Sequence, residues 1–441
     1  MPTKTSPPGN VPQTTKRPQP RPKKSASWFS LCCTSAKQFD DDDHVPPQTQ
    51  PVAIRLQSIM DRLIQIFKNA ELDKHLYRSR GRDAQDLLDT FQLILTFGPP
   101  EDSRRSFILA SQKLTSLSGL YPSQFILKDV MPYDELPVAS GTHADIRRGI
   151  FQGREVCLKT IRVYQTSIYD NILKTIAREA IFWGQLAHPN LLPFYGVYTL
   201  GRQMSLVFPW AVNGNVVEFL KVQPSANRLL LCADIAGGLA HLHQNNFIYG
   251  CLKGSNVLID RSHRAYLGDF GISAVVDPEI LSWAAQSVTT STGSVLRWLA
   301  PELFEVNTQL GEESPHNTRE SDVYAWACVC YEIFAERVPF FEDPRDHAVI
   351  MKVSKGARPS KPNYAAALTD EIWALMNKCW ERQPSQRPSS ALVLSKLIAM
   401  QPRDNRPPGE WMHQMLSQNK TDVPLDLNRL NKFVAPKYNS I

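Results

Sequence analysis

Lys159 stands in the alternating run VCLKTI, with Val156, Leu158 and Ile161 as apolar neighbours. A lone lysine in a strand is ordinarily surface charge. It gains meaning from Glu179, an acid in the helical stretch IAREAIFW about twenty residues later, because a strand lysine paired with a helix glutamate can hold the phosphates of a nucleotide. A second pair lies further on. The strand YLGDFGIS (266–273) ends in Asp269-Phe270-Gly271, which places a carboxylate at a sharp turn where it can ligate magnesium, with Phe270 fixing the turn against the core. Asn256, thirteen residues earlier, can offer an amide oxygen to the same metal region.

Two further groups belong with these. Ala300-Pro301-Glu302 in GSVLRWLAPELF contains an acid that needs a cation if it is buried, and Arg387 in CWERQPSQRPS is the candidate partner. Asp322 opens the very apolar stretch SDVYAWACVCYEIF, where a carboxylate also suits a helix N-terminus.

The elements that must position these residues are legible from periodicity. Residues 52–79 carry Val52, Leu56, Ile59, Met60, Leu63, Ile66 and Phe67 at amphipathic-helix spacing. Two more helical stretches follow at 82–95 and 101–121, the first stopped by Gly98-Pro99-Pro100. From about residue 127 short strands take over, including VASGTHADIRRGIF and REVCLKTIRVY with a turn at Gly153, then strands near 194–199 and 204–209 after a helix at about 170–186. Beyond Asn213 the chain is mostly helical. Strands first and helices after describe an α+β protein of two lobes, a small β-rich one and a larger helical one. The expected division is a disordered Pro-rich, basic and acidic tail over 1–50, a helical module over 51–126, the two-lobed domain over 127–400 and an extended C-terminal tail over 401–441.

The order Lys159, Glu179, Leu252–Asn256, Asp269–Gly271, Ala300–Glu302, Asp322, Arg387 resembles the eukaryotic protein kinase family over roughly residues 130–400. RWLAPE and CWERQPSQRP look most like the tyrosine-kinase-like branch of serine/threonine kinases, and the lead-in over 82–132 is similar to that of many fungal kinases of that branch. The resemblance implies ATP and Mg2+ as cofactors. It implies that Lys159 contacts the phosphates, that Glu179 positions Lys159, and that Asn256 and Asp269 bind the metal. Lys253 would face the transferred phosphate. LVFPWA (206–211) looks like the hinge, with Phe208 as gatekeeper, the Pro209 carbonyl accepting from adenine and the Ala211 N–H donating back. The tract QSVTTSTG (286–293) falls where an activation segment would be phosphorylated.

Three departures from the family pattern matter. Of the phosphate-loop glycines only Gly141 survives, with Ala139 and Ala144 in the flanking places, which weakens close backbone approach to phosphate. Gly250 stands where an arginine would pair with a phosphorylated activation segment, so that charge-assisted link is absent. Cys251 in FIYGCLKGSNVLID replaces the catalytic aspartate. A thiol with an ordinary pKa of about 8.5 is mostly neutral at pH 7 and accepts hydrogen bonds poorly. Positioned acid–base catalysis is worth about 10²–10⁴-fold, whereas phosphoryl transfer relies chiefly on positioning and charge stabilisation. Turnover should be crippled rather than abolished. The expected protein is a signalling kinase homologue that binds ATP and Mg2+, a pseudokinase or weak kinase. An active ATP-dependent serine/threonine kinase and an interaction scaffold that binds no nucleotide stay open beside it.

Composition fits this picture. At 441 residues with 42% hydrophobic content and a net charge of +6, the chain can bury an ordinary core, and its charge does not indicate a nucleic-acid partner. The eight cysteines form no Cys-x-x-Cys and lie mostly in apolar runs, as reduced core thiols of an intracellular, cytoplasmic protein do. The expected partner is a protein substrate or signalling partner. Cys32-Cys33, beside Trp28, Phe29 and Leu31 and after a basic run, can be acylated to hold the tail on an anionic membrane, although a plain flexible tail explains them as well.

Overall fold

The computed structural model describes residues 52–69, 76–133, 136–140, 144–161, 180–200, 203–268, 274–275, 295–304, 316–400 and 404–411. Gly141, Glu179, Asp269, the tract 286–293 and the tail with Cys32-Cys33 lie outside the described residues. Chain contacts divide the molecule into Met1–Ile59 and Met60–Ile441. Of the first unit only the opening turns of helix α1 (Val52–Phe67) are described.

In the second unit, helices α2 (Gly81–Phe97) and α3 (Glu101–Ser118) form an antiparallel pair, each ended by a glycine in the left-handed region, Gly98 and Gly119. Phe67, Phe91 and Phe107 meet edge to face with centroids 5.1–5.9 Å apart and seal this pair. The amphipathic stretch expected to run to residue 79 ends as a helix at Phe67. The third helix stops at Ser118, three residues before the expected end, because Gly119 takes φ +70°.

A six-stranded antiparallel sheet follows. Its strands are β1 (Met131–Pro132), β2 (Ala139–Ser140), β3 (Ala144–Phe151), β4 (Arg154–Ile161), β5 (Gly196–Leu200) and β6 (Gln203–Pro209), in the order β1-β3-β4-β6-β5 with β2 on β3. Gly153, at φ +75°, makes the predicted turn between β3 and β4. Period-two alternation sorts the side chains. Val156, Leu158 and Val207 face a core cluster with Val130 and Tyr195. Cys157 and Lys159 therefore face the other way, opposite Phe208 and Leu206 respectively.

The larger lobe is helical: α4 (Val216–Val222), α5 (Arg228–Gln244), α6 (Arg319–Ala335), α7 (Asp346–Ser354), α8 (Asp370–Cys379) and α9 (Ser390–Met400). Asn215 and Asn227 cap α4 and α5, and Thr318 with Ser321 closes a capping box on α6. From Ser321 to Ala335 every residue of α6 is buried, as its all-round apolar sequence requires. Each large apolar side chain there contributes roughly 1.5–3 kcal/mol by burial. Two short two-stranded antiparallel pieces complete this lobe: β7 (Phe247–Ile248) pairs with β10 (Ala274–Val275), and β8 (Val257–Ile259) with β9 (Ala265–Leu267).

The helical module is seated on the small lobe. Gln185 donates to the Gln92 Oε1 at 2.7 Å and its carbonyl accepts from Arg104 at 3.1 Å. Phe125 brings the tip of its ring against Gly184, where a Cβ would come within 2.2 Å of it, and meets Phe194 edge on. Of the stretch expected to be an extended tail, residues 404–411 are irregular, with a bend at Arg406 and a turn at Glu410–Trp411, and are held down. Arg406 pairs with Asp234 of α5 at 2.9 Å, and Trp411, 2% exposed, packs on Tyr266. Among the described residues no helix is long and apolar enough to cross a membrane.

Candidate active site

The sheet supplies the first part of the candidate site. Register places Ile146 of β3 opposite Lys159 of β4, and Lys159 opposite Leu206 of β6, so these three side chains share the face away from the outer cluster. Cys157 shares that face with Phe208, which is 5% exposed and packs edge to face on Trp183 at 5.3 Å. The chain then runs through Pro209, Trp210 and Ala211. Trp210 N–H donates to the Glu155 carbonyl at 3.2 Å, tying this linker to β4, and the Arg148 guanidinium lies over the Trp210 ring. Gly214, at φ +65°, turns the linker into α4 and donates to the Ala211 carbonyl at 3.1 Å.

The second part of the candidate site is the segment 249–256. Its backbone is held from beneath by one carboxylate on α6. Asp322 Oδ2 accepts from Tyr249 N–H at 2.7 Å, and Oδ1 accepts from Gly250 N–H at 2.8 Å. His243 Nε2 lies 2.9 Å from the same Oδ2, and its Nδ1 lies 2.8 Å from the Ser390 hydroxyl. Tyr249, fully buried, donates its hydroxyl to the Gly268 carbonyl. Gly250 adopts φ +78°, a conformation that strains any residue with a Cβ.

Beyond this anchor Cys251 is 6% exposed and Leu252 1%. Lys253 is half-buried, and Gly254–Asn256 forms a single tight turn in which Asn256 N–H donates to the Lys253 carbonyl at 2.9 Å. The Asn256 side-chain nitrogen donates to the Cys251 carbonyl at 2.8 Å. That bond commits the amide nitrogen and leaves the oxygen as the atom for a cation. Gly268 N–H donates to the Asn256 carbonyl at 3.0 Å, so the residue preceding Asp269 is fixed against Asn256. The structure thus brings Cys251, Lys253 and Asn256 into one short loop, with Lys159, Pro209 and Ala211 on the sheet and linker. Asp269, Glu179 and Gly141 fall outside the described residues.

The acid–base pair foreseen from sequence is present. Arg387, whose side chain is fully buried, donates through both terminal nitrogens to Glu302, at 2.6 and 2.7 Å. Two partners were not foreseen. Asp322 reads in sequence as a helix-start carboxylate, yet its two oxygens hold the loop backbone. Glu332, eleven residues into the apolar stretch from Asp322 to Ile333, accepts from Gly254 N–H and from Trp298. The one acid in the otherwise apolar run from Val323 to Phe334 is the available signal, because a buried carboxylate must find donors. Burial pushes Glu332 up to about 7, against the opposing pull of its hydrogen bonds and of Lys253.

The cysteines at 157, 232, 251, 328, 330 and 379 are thiols. Burial pushes Cys328 and Cys379 up to about 12, which makes them inert core residues. Among the described residues no cluster of three metal-ligating side chains occurs.

Comparison with known proteins agrees with this geometry. A family model described as protein tyrosine and serine/threonine kinase matches residues 135–397. The chain is 27% identical over 267 residues to serine/threonine-protein kinase STY17 of Arabidopsis thaliana, an alignment covering 60% of this chain and 43% of that protein. It is 27% identical over 266 residues to serine/threonine/tyrosine-protein kinase HT1 of the same plant, covering 59% and 64%. It is also 27% identical over 274 residues to the human cytoplasmic tyrosine-protein kinase BMX, covering 60% and 37%. The aligned part spans less than two thirds of each of these relatives. The two-lobed fold, the loop anchored on α6 and the Glu302–Arg387 pair, together with a match over more than half its length, place this chain in the protein tyrosine and serine/threonine kinase family, with tyrosine-kinase-like character.

Proposed function

We propose that this chain is a signalling protein that binds ATP with magnesium between its lobes and transfers phosphate weakly at best, acting on or through a protein partner. The observation that carries the reading is the Asn256–Cys251 hydrogen bond at 2.8 Å. The loop keeps an ordered form, anchored by Asp322 and closed by Asn256, while a thiol stands where a hydroxyl substrate would deliver its proton.

The donor set suits magnesium-nucleotide: an amide oxygen at Asn256, a carboxylate at Asp269 by sequence, and a cationic Lys159 on the sheet. When bound, that group supplies the phosphoryl donor and neutralises charge on it. Asn256 and Asp269 would hold the metal, Lys159 the phosphates with Glu179 orienting it, and Lys253 would meet the transferred group. The Pro209 carbonyl and Ala211 N–H would orient the base, and Gly141 is the one glycine left to approach phosphate. Cys251 at neutral pH is a poor acceptor of the substrate proton, which is why turnover falls while binding persists.

Phosphotransfer by the purified full chain, beside Cys251→Asp and Asp269→Asn, tests this. Cys251→Asp should accelerate transfer by about 10²–10⁴-fold, and Asp269→Asn should abolish it. Wild-type transfer as fast as that of Cys251→Asp would make the chain an ordinary active kinase. Magnesium-ATP at about 100 times its Kd should stabilise the fold by about 2.7 kcal/mol. No thermal shift would favour a scaffold that binds no nucleotide.

A further inference from the structure

Past α9 the tail returns to a single turn of the large lobe, Asp260–Arg264, which joins β8 to β9. Arg264 donates to the Pro407 carbonyl at 2.7 Å, to the Arg406 carbonyl at 3.2 Å and to Asp404 Oδ2 at 3.1 Å. The Ser262 hydroxyl donates to the Pro408 carbonyl at 3.1 Å, and the His263 carbonyl accepts from Arg406 at 2.9 Å. Asp260, fully buried, gathers three donors on its carboxylate: Arg264 N–H, the Tyr266 hydroxyl and, from the tail, Glu410 N–H.

The turn needs this support. His263 sits at φ +59°, a conformation that strains a residue with a Cβ and persists where neighbours over-determine it. The same turn also holds the far end of the linker between the lobes. The Asn213 side chain donates to the Asp260 carbonyl at 2.6 Å, and Ile259 N–H donates to the Gly214 carbonyl at 3.0 Å. Arg261 Nη2 lies 3.8 Å from the Glu155 carboxylate of β4, an exposed pair that is weak by itself. The Asn213 bond is the firmer tie. Close approach of the tail depends on Gly409, where a Cβ would stand 2.1 Å from the Tyr266 hydroxyl.

We propose that the surface around Asp260–Arg264 is a docking site for this chain's own tail, and that the docked tail braces the linker Pro209–Asn213. Seated, residues 406–410 keep the strained turn in shape, and the turn keeps Asn213 in place. Released, the turn relaxes, the Asn213 tie moves with it and the linker opens more freely. The bearing on nucleotide rests on the reading given above, in which the Pro209 carbonyl and Ala211 N–H orient the base. A segment that touches neither base nor phosphate then sets how firmly that edge of the site is held.

Amide hydrogen exchange on the full chain without nucleotide tests the brace, read at Trp210 and Gly214, whose N–H groups donate to the Glu155 and Ala211 carbonyls. Gly409→Ala drives a methyl group against Tyr266 and changes nothing in the linker itself. It should speed exchange at both amides about tenfold. Tyr266→Phe removes the hydroxyl which that methyl meets, and adding it should bring exchange back to within about threefold of wild type. In an Asn213→Ala background, where the tie is already cut, Gly409→Ala should add nothing at Trp210. The proposal is overturned if Gly409→Ala leaves Trp210 and Gly214 at their wild-type rates, whether or not it loosens residues 260–264. Equal acceleration throughout α6 would mean general unfolding and overturn it as well. Should Gly409→Ala fail to fold, Arg264→Ala, which removes three bonds to the tail, takes its place with the same outcomes. Because nucleotide is absent, a protein that never binds magnesium-ATP would sink the functional reading above and leave this result intact.

Discussion

Asn317 fills the space that a side chain at residue 250 would need. A Cβ on Gly250 would stand 2.9 Å from Asn317 Nδ2, and Gly250 itself sits at φ +78°. The missing arginine is therefore matched by two features, a left-handed backbone and an occupied neighbour. Replacing Gly250 with Arg should destabilise the protein by about 1–2 kcal/mol from backbone strain alone, plus the cost of displacing Asn317. Asn317→Ala should recover the second part and not the first. Denaturant midpoints of the two single variants and the double variant separate these contributions. A fully additive double variant would show that Asn317 is no obstacle.

The Arg387–Glu302 pair offers a sharper stability test. Arg387 has a fully buried side chain, and Glu302 is 24% exposed. Arg387→Ala strands a carboxylate and empties a cationic site, so it should cost about 3 kcal/mol, the low end for breaking a buried pair. Arg387→Lys keeps the charge and loses the two-pronged geometry, and should fall between wild type and Ala. Equal destabilisation by Lys and Ala would mean that the fork, not the charge, carries the contact.

Stability should depend on pH in two opposing ways. His188 stacks on His241 at 4.7 Å, and burial, then the neighbouring imidazole, pulls His188 down to about 4. The folded form thus binds fewer protons than the unfolded chain between about 4 and the ordinary 6.5, so stability rises with pH across that window. Glu332 runs the other way. Its folded value of about 7 exceeds the ordinary 4.5, so its contribution is complete below 4.5 and is lost as pH rises through 7. Thermal midpoints from pH 4 to 8 should therefore steepen on the acid side in Glu332→Gln and flatten in His188→Gln. An unchanged profile in both variants would contradict these assignments.

The seating of the helical module also has a measurable consequence. Gln185 bridges Gln92 and Arg104, and it follows directly on the helical turn that carries Trp183 beneath Phe208. Gln185→Ala would leave the Gln92 carbonyl unpaired in a buried place, at a cost of about 1–3 kcal/mol. Limited proteolysis between residues 119 and 130 should accelerate in that variant while cutting within α5 and α6 does not. Uniform acceleration everywhere would point to global unfolding and not to release of the module.

The sequence exposes residues whose chemistry is local and hides those whose role depends on contacts across the fold. Lys159 in its alternating strand, the buried helix at 319–335 and the Glu302–Arg387 pairing were legible because strand period, apolar continuity and charge balance are local or pairwise rules. Asp322 was read as a helix-start acid, which its position in the first turn satisfies, but its bonds to Tyr249 and Gly250 arise only when α6 passes beneath the loop. Glu332 and Gly254 explain one another only in space. The polar, proline-bearing stretch after residue 400 concealed Trp411 for the same reason, since its partner Tyr266 lies far upstream.

That last contact bears on where the chain can be cut. The kinase family match ends at residue 397, which invites a recombinant fragment trimmed there. Asp234 lies in α5, largely enclosed; burial pushes its carboxyl above the ordinary range, opposed by the two hydrogen bonds from Arg406. Trimming at 397 removes Arg406, the cover that Trp411 gives Tyr266, and the Glu410 N–H that donates to Asp260 at 2.9 Å. A fragment ending at 411 keeps all three, so the shortest well-behaved piece is set by a salt bridge beyond the family's own border.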